Sequence, residues 1–583
     1  MKLTLFGMAL LAALFYGCST TSTQENPQEE PVSQENNSSF PQNIKPISID
    51  FKSKLASHNP AAYVTSQCYT KTTDENNISH NPCFSCHINS QEPNYIDDAD
   101  LQTLYDMREH TVLNRFTNLF KDRTEYVQAI QDKDILEYVR TDNYKDKSNR
   151  LSLAQKLKTL PSEWDVNEDG IWNGYMPDCS FSFDDEGFDK DENGLYSGWR
   201  AFAYYPFLGT FWPTNGSFDD VLIRLPLAFR QNAHSEFSLE VYKINLAIVE
   251  SLIKEKDISI DEVDENIYGV DLNADGILNL SNLVKFVWLK PSYNSATKKI
   301  TDFSMTYVGK AKELLQTNEY LIAPGLYPKG TEFLHSVRYI DVVNDEVTMA
   351  PRMKELRYAK KDSWNNYSQM QNASMAEIME KDLFPDRLRN IQGDSEQGLQ
   401  TGLGWTYQGF IEDENGELRP QNYEETLYCI GCHSGIGSIA DSTFVFQRKF
   451  DHTSKQNGWY HWSQDAKGLK NIGEPLTKNG EYEYSRYLRE NGAGDEFRDN
   501  EEIFEKYFDN GVLKQEKIDE LHTDISKLLI PSTSRALTLN KAYKIIVDEQ
   551  SFIYGRDTHV KPVKNVYEEV TPNSLTGNHE IYN

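Results

Sequence analysis

The chain has 583 residues, which is too long for one ordinary hydrophobic core, so the sequence predicts several domains. It carries 59 Lys and Arg against 89 Asp and Glu, a formal net charge of −30. This excess of acid argues against nucleic acid and anionic lipid surfaces as partners. An acidic face would suit a basic partner protein, but dispersed acidic groups that keep a protein soluble are the simpler explanation.

An export signal opens the chain. Residues 3–16 form an apolar run behind a charged start, a layout typical of secretory signals and too short for a transmembrane helix. A glycine and Cys18 close the run, which resembles the lipoprotein cleavage box in which the cysteine becomes the lipidated first residue. Phe15 and Tyr16 are larger than usual there, and simple secretion is the alternative. Residues 1–18 are thus predicted to be a signal peptide with a lipoprotein-type cysteine.

A polar segment follows the signal. Residues 19–46 are rich in Ser, Thr, Gln, Asn, Glu and Pro and almost lack large apolar side chains. Such a composition cannot bury enough surface to fold, and it predicts a disordered tether between a lipid anchor and a folded body. The body is expected in the periplasm or at the cell surface, as an outer-membrane lipoprotein.

The first chemical motif is Cys83-Phe84-Ser85-Cys86-His87, inside a predicted first haem domain over residues 47–160. Two thiols three positions apart can add to the two vinyl groups of one porphyrin, and the next histidine then reaches the iron as proximal ligand. Cys83 and Cys86 are therefore predicted to attach a haem, with His87 as its proximal ligand. Zinc or a thioredoxin-like dithiol is the alternative for the cysteine pair.

Apolar residues at helical spacing predict a helix over residues 98–120, downstream of this motif. Met107 and His110 lie on or near it. Both residue types serve as distal ligands of c-type haems, so each is a candidate for the second axial position. Core packing is the alternative for the methionine, and an open distal position is also compatible with the sequence.

A calcium loop is predicted in the middle of the chain. Oxygen-bearing side chains occupy positions 1, 3, 5, 9 and 12, a glycine at position 6 permits the turn, and position 7 offers its carbonyl. This resembles the EF-hand or dockerin-like loop, except that an asparagine replaces the bidentate glutamate at position 12, which should weaken binding. A helix is expected after the loop. The six ligand positions are Asp271, Asn273, Asp275, Ile277, Asn279 and Asn282.

Two weaker copies of this pattern lie upstream. They hold the first half of the loop but lack an acid at position 12. They are independent calcium loops, halves of one structural site near Cys179, or tight turns closed by their own side chains. A further stretch, 413–416, is expected to be only a turn. The weaker candidate ligands are Asp165, Asn167 and Asp169 in the first copy, and Asp189, Asp191 and Asn193 in the second.

The second motif, Cys429-Ile430-Gly431-Cys432-His433, repeats the first inside a predicted second haem domain over residues 420–583. Cys429 and Cys432 are predicted to attach a second haem, with His433 as proximal ligand. A histidine in both copies removes most of the ambiguity of a bare cysteine pair. His452 and His461, 19 and 28 residues downstream, are the candidate distal ligands.

The fold class predicted from these elements is α+β, mainly helical around the haems, with some β-hairpins and much irregular loop, in several domains. Between the haem domains we expect a calcium-loop region over residues 161–300 and a mixed strand and helix region over residues 301–419. Periodicity predicts helices over 217–230, 236–255 and within 513–554, and strands or hairpins over 299–309, 333–348 and 402–412.

Together, the two motifs and the export signal resemble those of di-haem c-type cytochromes of the bacterial envelope. The resemblance covers the ten motif residues and the leader; it implies two covalent c-type haems and an oxidising compartment. Cys68 and Cys179 are then the cysteines left over, and an even remainder in such a compartment predicts a disulfide between them, with two buried thiols as the alternative.

The expected function is electron transfer in the cell envelope, with redox proteins as partners, a membrane anchor and no nucleic acid. The 346 positions between the motifs exceed what a simple carrier requires, so a di-haem enzyme is the alternative. Bacterial di-haem cytochrome c peroxidases also combine two such motifs with calcium. Their motifs lie closer together, however, and their distal residues cannot be identified in this chain.

Overall fold

The computed structural model describes residues 39–41, 43–73, 76–209, 212–462, 468–491 and 499–582. The predicted signal peptide, Cys18 and most of the tether lie outside these residues. From Phe40 onward the chain forms one compact unit. This unit contains all four regions predicted for the body, 47–160, 161–300, 301–419 and 420–583. Phe40 and Ile44 already pack against a hydrophobic cluster, so the packed chain begins before residue 47.

A nine-stranded antiparallel sheet is the centre of this unit. Its order is β12-β13-β14-β11-β10-β5-β4-β3, with β15 paired to β14, and four separate two-stranded hairpins lie outside it. The strands are β1 (Thr72–Thr73), β2 (Ser79–His80), β3 (Phe188–Lys190), β4 (Tyr196–Ala201), β5 (Phe218–Arg224), β6 (Ile258–Asp264), β7 (Leu280–Val284), β8 (Ser292–Asn294), β9 (Lys299–Thr301), β10 (Glu332–Val343), β11 (Glu346–Lys361), β12 (Gly393–Asp394), β13 (Gly398–Gln400), β14 (Trp405–Glu412), β15 (Leu418–Pro420), β16 (Phe508–Asp509) and β17 (Val512–Leu513).

Helices surround the sheet and are mostly short. The long ones begin with side-chain caps: Ser238 accepts a hydrogen bond from the Val241 amide at the start of α4. The helices are α1 (Thr124–Ala129), α2 (Asp132–Arg140), α3 (Ser152–Lys158), α4 (Leu239–Lys254), α5 (Glu265–Tyr268), α6 (Lys310–Gln316), α7 (Tyr367–Leu383), α8 (Tyr423–His433), α9 (Val445–Arg448), α10 (Glu483–Glu490), α11 (Glu501–Tyr507), α12 (Gln515–Leu521), α13 (Ser526–Leu529) and α14 (Thr533–Glu549).

The predicted fold class was wrong in its main point, because the protein is not mainly helical around the haem motifs. It is 29% helix and 20% strand, and one large antiparallel sheet organises it. The hairpin of β10 and β11 is its longest pair. It turns through Asn344 and Asp345, both at positive φ (52° and 63°), which is the two-residue turn that matches the twist of antiparallel strands.

The two faces of the sheet bury different clusters, because side chains alternate along each strand. Ile223, Phe333 and Tyr407 lie in the largest cluster, whereas Leu222, Leu334 and other neighbours lie in a second one. The second cluster is completed by aromatic residues from the region between 144 and 183. The sheet therefore separates two cores, and the residues described below lie on the Tyr407 face.

The predicted helix over residues 98–120 was wrong. The chain forms three short 3-10 turns there, Ala99–Gln102, Glu109–Thr111 and Thr117–Phe120. Between them it bridges to the C-terminal segment, and the Tyr105 amide donates to the Ser574 carbonyl at 3.0 Å. The apolar spacing serves contact with that distant segment rather than a helix face.

Buried amide side chains hold this irregular region in place. They donate to backbone carbonyls that have no partner in a helix or strand, which avoids the cost of leaving those groups unpaired. The donors and their acceptor carbonyls are Asn81 to Thr70 (2.8 Å), Asn94 to Ile436 (2.7 Å), Gln102 to His87 (2.6 Å) and Asn118 to Gly555 (2.7 Å).

The remaining secondary-structure predictions were partly confirmed. Helix α4 lies within 236–255, and α12 to α14 lie within 513–554. Strands β10 and β14 fall at the predicted positions, whereas most of β11 lies beyond the predicted 333–348, and β9 covers only the start of the predicted 299–309. The segment 217–230 is strand β5 followed by a 3-10 turn, not a helix, because it is an inner strand of the sheet between β4 and β10.

Candidate functional site

The second CxxCH motif forms the C-terminal part of α8. This helix begins with a reciprocal cap, in which Asn422 accepts from the Glu425 amide and Glu425 accepts from the Asn422 amide, each at 2.9 Å. The cap fixes where the helix starts, and the motif falls on its last turns. Tyr407, on the adjacent strand β14, packs its ring 4.6 Å from the ring centre of His433.

The ring of His433 is fixed in one tautomer. Its Nδ1 lies 2.8 Å from the Ser442 carbonyl oxygen, which can only accept, so Nδ1 carries the proton. The Tyr407 hydroxyl lies 3.1 Å from the same nitrogen and also donates to Ser442. Burial lowers the pKa of His433 to about 4, so the ring is neutral at physiological pH. Its lone pair is therefore on Nε2, the nitrogen suited to a metal.

The first CxxCH motif forms a 3-10 turn, Cys83–Ser85, and its histidine is held in the same way. His87 Nδ1 lies 2.8 Å from Asp98 Oδ2. Because Asp98 is a buried carboxylate that accepts, this contact also places the proton on Nδ1. Both motifs thus present a histidine whose Nδ1 is bonded to oxygen, the support that metal-ligating histidines usually have.

The two motifs lie side by side, although 346 positions separate them. The Ser438 amide, just after the second motif, donates to the Cys86 carbonyl at 3.1 Å. The Gly437 amide donates to Asp98 at 3.0 Å, so one carboxylate contacts the first motif and the segment that follows the second. A Cβ at Gly437 would lie 2.1 Å from the Ile88 carbonyl oxygen, so only glycine permits this approach. Nothing in the sequence predicted this adjacency.

The four motif cysteines are half-buried, and their thiols are protonated. Burial raises the pKa of Cys83, Cys86 and Cys429, and that of Cys432 to about 12. A thioredoxin-like dithiol works through a lowered pKa, so this environment does not favour redox exchange.

The predicted disulfide between Cys68 and Cys179 is absent from the structure, where both are free thiols. Cys68 packs in the cluster around Tyr69 near the first motif, whereas Cys179 is buried in the cluster on the opposite face of the sheet. Their separation in different cores rules out a bond without rearrangement of the chain.

A cavity of about 320 Å³ joins both motifs, within the size range of cofactor pockets. Cys86, Cys429, Cys432 and His433 all line it. Its walls are largely aromatic and come from the sheet, α8 and the segment 202–217. The aromatic lining residues include Phe202, Tyr204, Phe333, Tyr407, Tyr428 and Phe444.

Cationic side chains line the same cavity. Arg357 and Arg556 both contact Glu355, at 2.9 and 2.7 Å. Lys354 donates to the Gly216 carbonyl at 2.7 Å, and burial lowers its pKa to about 7. The two arginines outnumber Glu355 in this group, which suits a ligand with carboxylates, while Asp219 and Asp557 are the other acidic residues that line the cavity.

His335 is a cavity residue that the sequence did not single out. It lies on β10 and its Nε2 is 2.7 Å from Asp219 Oδ2 on the neighbouring strand β5. Both line the cavity, and Tyr204 also bonds Asp219. The predicted strand 333–348 contained His335, but only the strand pairing shows that it shares a face with the second motif.

The predicted distal ligands lie elsewhere, and none is among the described residues that line the cavity. His461 is buried and its Nδ1 contacts Asp220 at 3.0 Å. His452 is exposed. His110 bonds the Tyr63 hydroxyl, and burial lowers its pKa. Met107 packs in the cluster around Tyr69.

The strongest predicted calcium loop has the expected turn. The amides of Asp275 and Gly276 donate to Asp271, at 3.2 and 2.8 Å, and Asn279 donates to Asp275 at 3.0 Å. Gly276 has φ +87°, which a side chain would strain. The element that follows is strand β7, not the predicted helix, and it pairs with β6. Asn282 is exposed on that strand.

The loop at 165–173 repeats this geometry bond for bond. The amides of Asp169 and Gly170 donate to Asp165, at 3.2 and 2.9 Å, and Asn173 donates to Asp169 at 2.9 Å. Asn167 accepts from the Asp169 amide, as Asn273 does from Asp275 in the other loop.

Each of these two loops is closed by a buried glutamate from outside the motif. Glu265 accepts from the amides of Leu272 and Asn279, and Glu396 accepts from those of Val166 and Asn173. These glutamates bond the second and ninth positions of each loop, and sequence spacing could not have identified them. Within the described residues, no group of three or more His, Cys, Asp or Glu is arranged to hold a metal.

The copy at 189–197 is a different structure. Asp191 starts the hairpin turn between β3 and β4, where it accepts from the amides of Asn193 and Leu195, both at 2.9 Å. Asp189 is buried and accepts a hydrogen bond from the Ser197 hydroxyl. Asp413 closes the turn between β14 and β15 with the same bonds, as predicted for that stretch.

Comparison with known proteins places the chain in a lipoprotein family. A family model described as a "-like lipoprotein" matches residues 52–526. An uncharacterized lipoprotein of Aquifex aeolicus (strain VF5) is 31% identical, over 86% of each chain. The protein belongs to this lipoprotein family. No solved structure matches it.

Family membership confirms part of the localisation predicted from the sequence. Lipoproteins are envelope proteins that a lipid holds to a membrane, so this protein is a membrane-anchored envelope protein. Within the described residues, no helix is long and apolar enough to cross a bilayer.

Asp98 should control how tightly the two motifs pack. Replacing it by alanine removes the acceptor of His87 Nδ1 and of the Gly437 amide, two donors in a buried site. We expect Asp98→Ala to lower the free energy of unfolding by about 2 kcal/mol in a denaturant titration. Asp98→Asn keeps one acceptor oxygen and should cost less.

The neighbouring Asp97 is exposed and provides the matched control. Asp97→Ala should stay within about 0.5 kcal/mol of the parent protein. Equal midpoints for Asp98→Ala and Asp97→Ala would show that the shared carboxylate does not stabilise the contact between the motifs.

Proposed function

We propose that this lipoprotein is an exported c-type cytochrome with two covalent haems that transfers electrons in the cell envelope. The observation that carries the proposal is the pair of CxxCH motifs on the wall of one cavity, each with its histidine Nδ1 bonded to an oxygen acceptor. A haem bound at such a motif supplies one-electron chemistry at its iron.

Cys86, Cys429, Cys432 and His433 line the cavity, and Cys83 and His87 stand beside it in the first motif. Their chemistry fits such a group. Cys83 with Cys86, and Cys429 with Cys432, would hold the two porphyrins through thioethers, while His87 and His433 would offer Nε2 to the irons. The aromatic walls suit flat apolar rings. Arg357 and Arg556 can pair with propionate carboxylates, which supports the same assignment.

Adjacency of the motifs supports a relay role. The Ser438 amide bonds the carbonyl of Cys86, so two haems attached here would lie near each other. The partners proposed are redox proteins of the envelope, and the net charge of −30 favours a basic one. An outer-membrane position, rather than another envelope membrane, is part of this proposal.

A di-haem enzyme of the peroxidase class is the second candidate. The observation that favours it is the pair of half-buried His335 and buried Asp219, a proton-accepting and donating couple in the cavity of the second motif. An electron-transfer protein and a peroxidase differ in whether a small substrate can reach a haem iron.

Covalent attachment can be tested motif by motif. Protein made in a host that attaches c-type haem should exceed its chain mass by two haems and stain for haem after denaturation. Cys83→Ala with Cys86→Ala should remove one haem, and Cys429→Ala with Cys432→Ala should remove the other. Cys68→Ala with Cys179→Ala, outside the motifs, should retain both. An unmodified mass in the parent protein would refute the proposal.

Peroxide separates the relay from the enzyme. We expect the oxidised protein to show low-spin haems in optical and EPR spectra, and the reduced protein to react with hydrogen peroxide no faster than free haem does. A high-spin signal together with peroxide turnover would favour the second candidate over the first.

We also propose that the loops at 165–173 and 271–279 bind Ca²⁺. Their support is the repeated arrangement of two carboxylates and an amide oxygen around one turn, with a buried glutamate against each loop. Oxygen ligands at these positions are what Ca²⁺ prefers. Position 12 holds no carboxylate in either loop, since it is Asn282 in one and Met176 in the other, and this would make the sites weak.

Calcium should therefore stabilise the fold. At free calcium about 100 times the dissociation constant, one site adds about 2.7 kcal/mol, so chelation should lower the melting temperature. Asp271→Ala should abolish part of this calcium-dependent shift. Asp191→Ala, in the hairpin turn, should leave the shift unchanged. An identical melting temperature with and without chelator would contradict calcium binding.

A further inference from the structure

We infer that Lys361 and Asp441, a buried ion pair, are positioning residues for His433, and that they act through the turn of residues 440–443. The inference rests on the proposed covalent haem at the second motif and names the residues that tune its axial ligand. Neither the family match nor the relative identifies these residues.

The turn 440–443 presents one backbone oxygen to the second motif. Its two ends pair through two backbone hydrogen bonds, each 3.0 Å long. Inside the turn, the Ser442 carbonyl oxygen accepts from His433 Nδ1 at 2.8 Å and from the Tyr407 hydroxyl at 2.7 Å. The direction of this carbonyl therefore sets both the tautomer of His433 and the orientation of its ring.

The backbone of this turn is strained. Asp441 and Ser442 have φ of +48° and +61°, which is the left-handed region that favours glycine. Other residues stay in this region where the surrounding structure holds them there, and such positions cluster at functional sites. The Ser442 carbonyl therefore needs a contact from outside the turn to keep its direction.

The Asp441 carboxylate supplies that contact. It accepts from Lys361 Nζ, from the Tyr327 amide at 2.8 Å and from Trp405 Nε1 at 3.3 Å, and both side chains of the ion pair are fully buried. Lys361 ends β11, Trp405 begins β14, and the two residues pair in the sheet. The ion pair thus ties the turn to the end of the sheet that also carries Tyr407.

The energetic cost of this ion pair favours a functional role. Two buried charges are often no more stabilising than apolar residues of the same volume, so stability alone does not explain them. A backbone acceptor on Nδ1 fixes a ligating histidine and makes it more basic. A more basic axial ligand favours ferric iron and lowers the midpoint potential of a haem. Loss of the ion pair should therefore raise the potential at His433.

The test measures both midpoint potentials in the full chain with two haems attached. Asp441→Asn should raise one midpoint and leave the other unchanged, because the turn loses its charged anchor. Lys361→Met should raise the same midpoint for the same reason. Charge alone predicts the opposite sign for Lys361→Met, since removing a cation near a haem lowers its potential. The pair of variants therefore separates positioning from simple electrostatics.

Glu250→Gln is the matched control. Glu250 forms a buried ion pair with Lys449 at 3.1 Å, and neither residue is among the described residues that line the cavity. The variant should lower the midpoint of unfolding, as Asp441→Asn does, because each leaves a buried lysine without its full counter-charge. It should leave both redox midpoints unchanged, which a purely structural effect of Asp441 would also do.

The outcomes separate this inference from the proposed function. A parent protein without covalent haem refutes the function and, with it, this inference. With two haems attached, unchanged redox midpoints in Asp441→Asn and Lys361→Met overturn the positioning role alone, and so does a lowered midpoint in Lys361→Met. An equal shift in Glu250→Gln would assign the effect to the loss of any buried ion pair and would also overturn it. If Asp441→Asn does not fold, Lys361→Met decides by the sign of its shift.

Discussion

The carboxylate of Asp98 is the contact on which the arrangement of the two motifs depends. It accepts from His87 in the first motif and from the Gly437 amide after the second, so it fixes the first ring and joins the two segments. The chain around Asp98 forms no regular helix that could supply this rigidity. Instead, Asn and Gln side chains of this region donate hydrogen bonds to backbone carbonyls, several of which belong to the C-terminal part of the chain. The conformation of the first motif is therefore stabilised by contacts with residues distant in the sequence.

The sheet divides the remaining chemistry between its two faces. Because side chains alternate along β5 and β10, Asp219 and His335 lie on the cavity side of the sheet and bond each other. Their neighbours Asp220 and Ser336 lie on the other side, where Ser336 donates to Asp220. The cluster on that other side contains Trp172, at the end of the calcium-type loop, and Cys179. A one-residue slip in register would exchange these faces and remove His335 from the cavity. The long β10 and β11 hairpin, fixed by its two-residue turn, guards against such a slip.

Sequence patterns predicted what depends on neighbours in the chain. The Asx-rich loops at 165–173 and 271–279 have the expected turns because their bonds join residues two to five positions apart. The copy at Asp191 does not form a calcium-type loop, because the residues on either side of it pair as strands β3 and β4 and the segment becomes the turn of a hairpin. The helix expected over 98–120 failed because its apolar residues pack on the C-terminal segment. His335, Glu265 and Glu396 were missed for one reason: their partners are distant in sequence, and only tertiary pairing brings them together.

Buried charge marks the cavity as functional independently of the cysteine motifs. Asp219, Lys354, Glu355 and Arg556 are all buried or nearly so around it. Removing a charge from water costs several kcal/mol even after pairing, and apolar residues of similar volume would often stabilise the fold more. Lys354 illustrates the cost, since burial brings its pKa down to about 7 although the carboxylates of Glu412 and Glu355 act to raise it. A fold selected only for stability would not gather these groups at one cavity. They line the space onto which both CxxCH motifs open, so the costly charges and the motif thiols serve the same site.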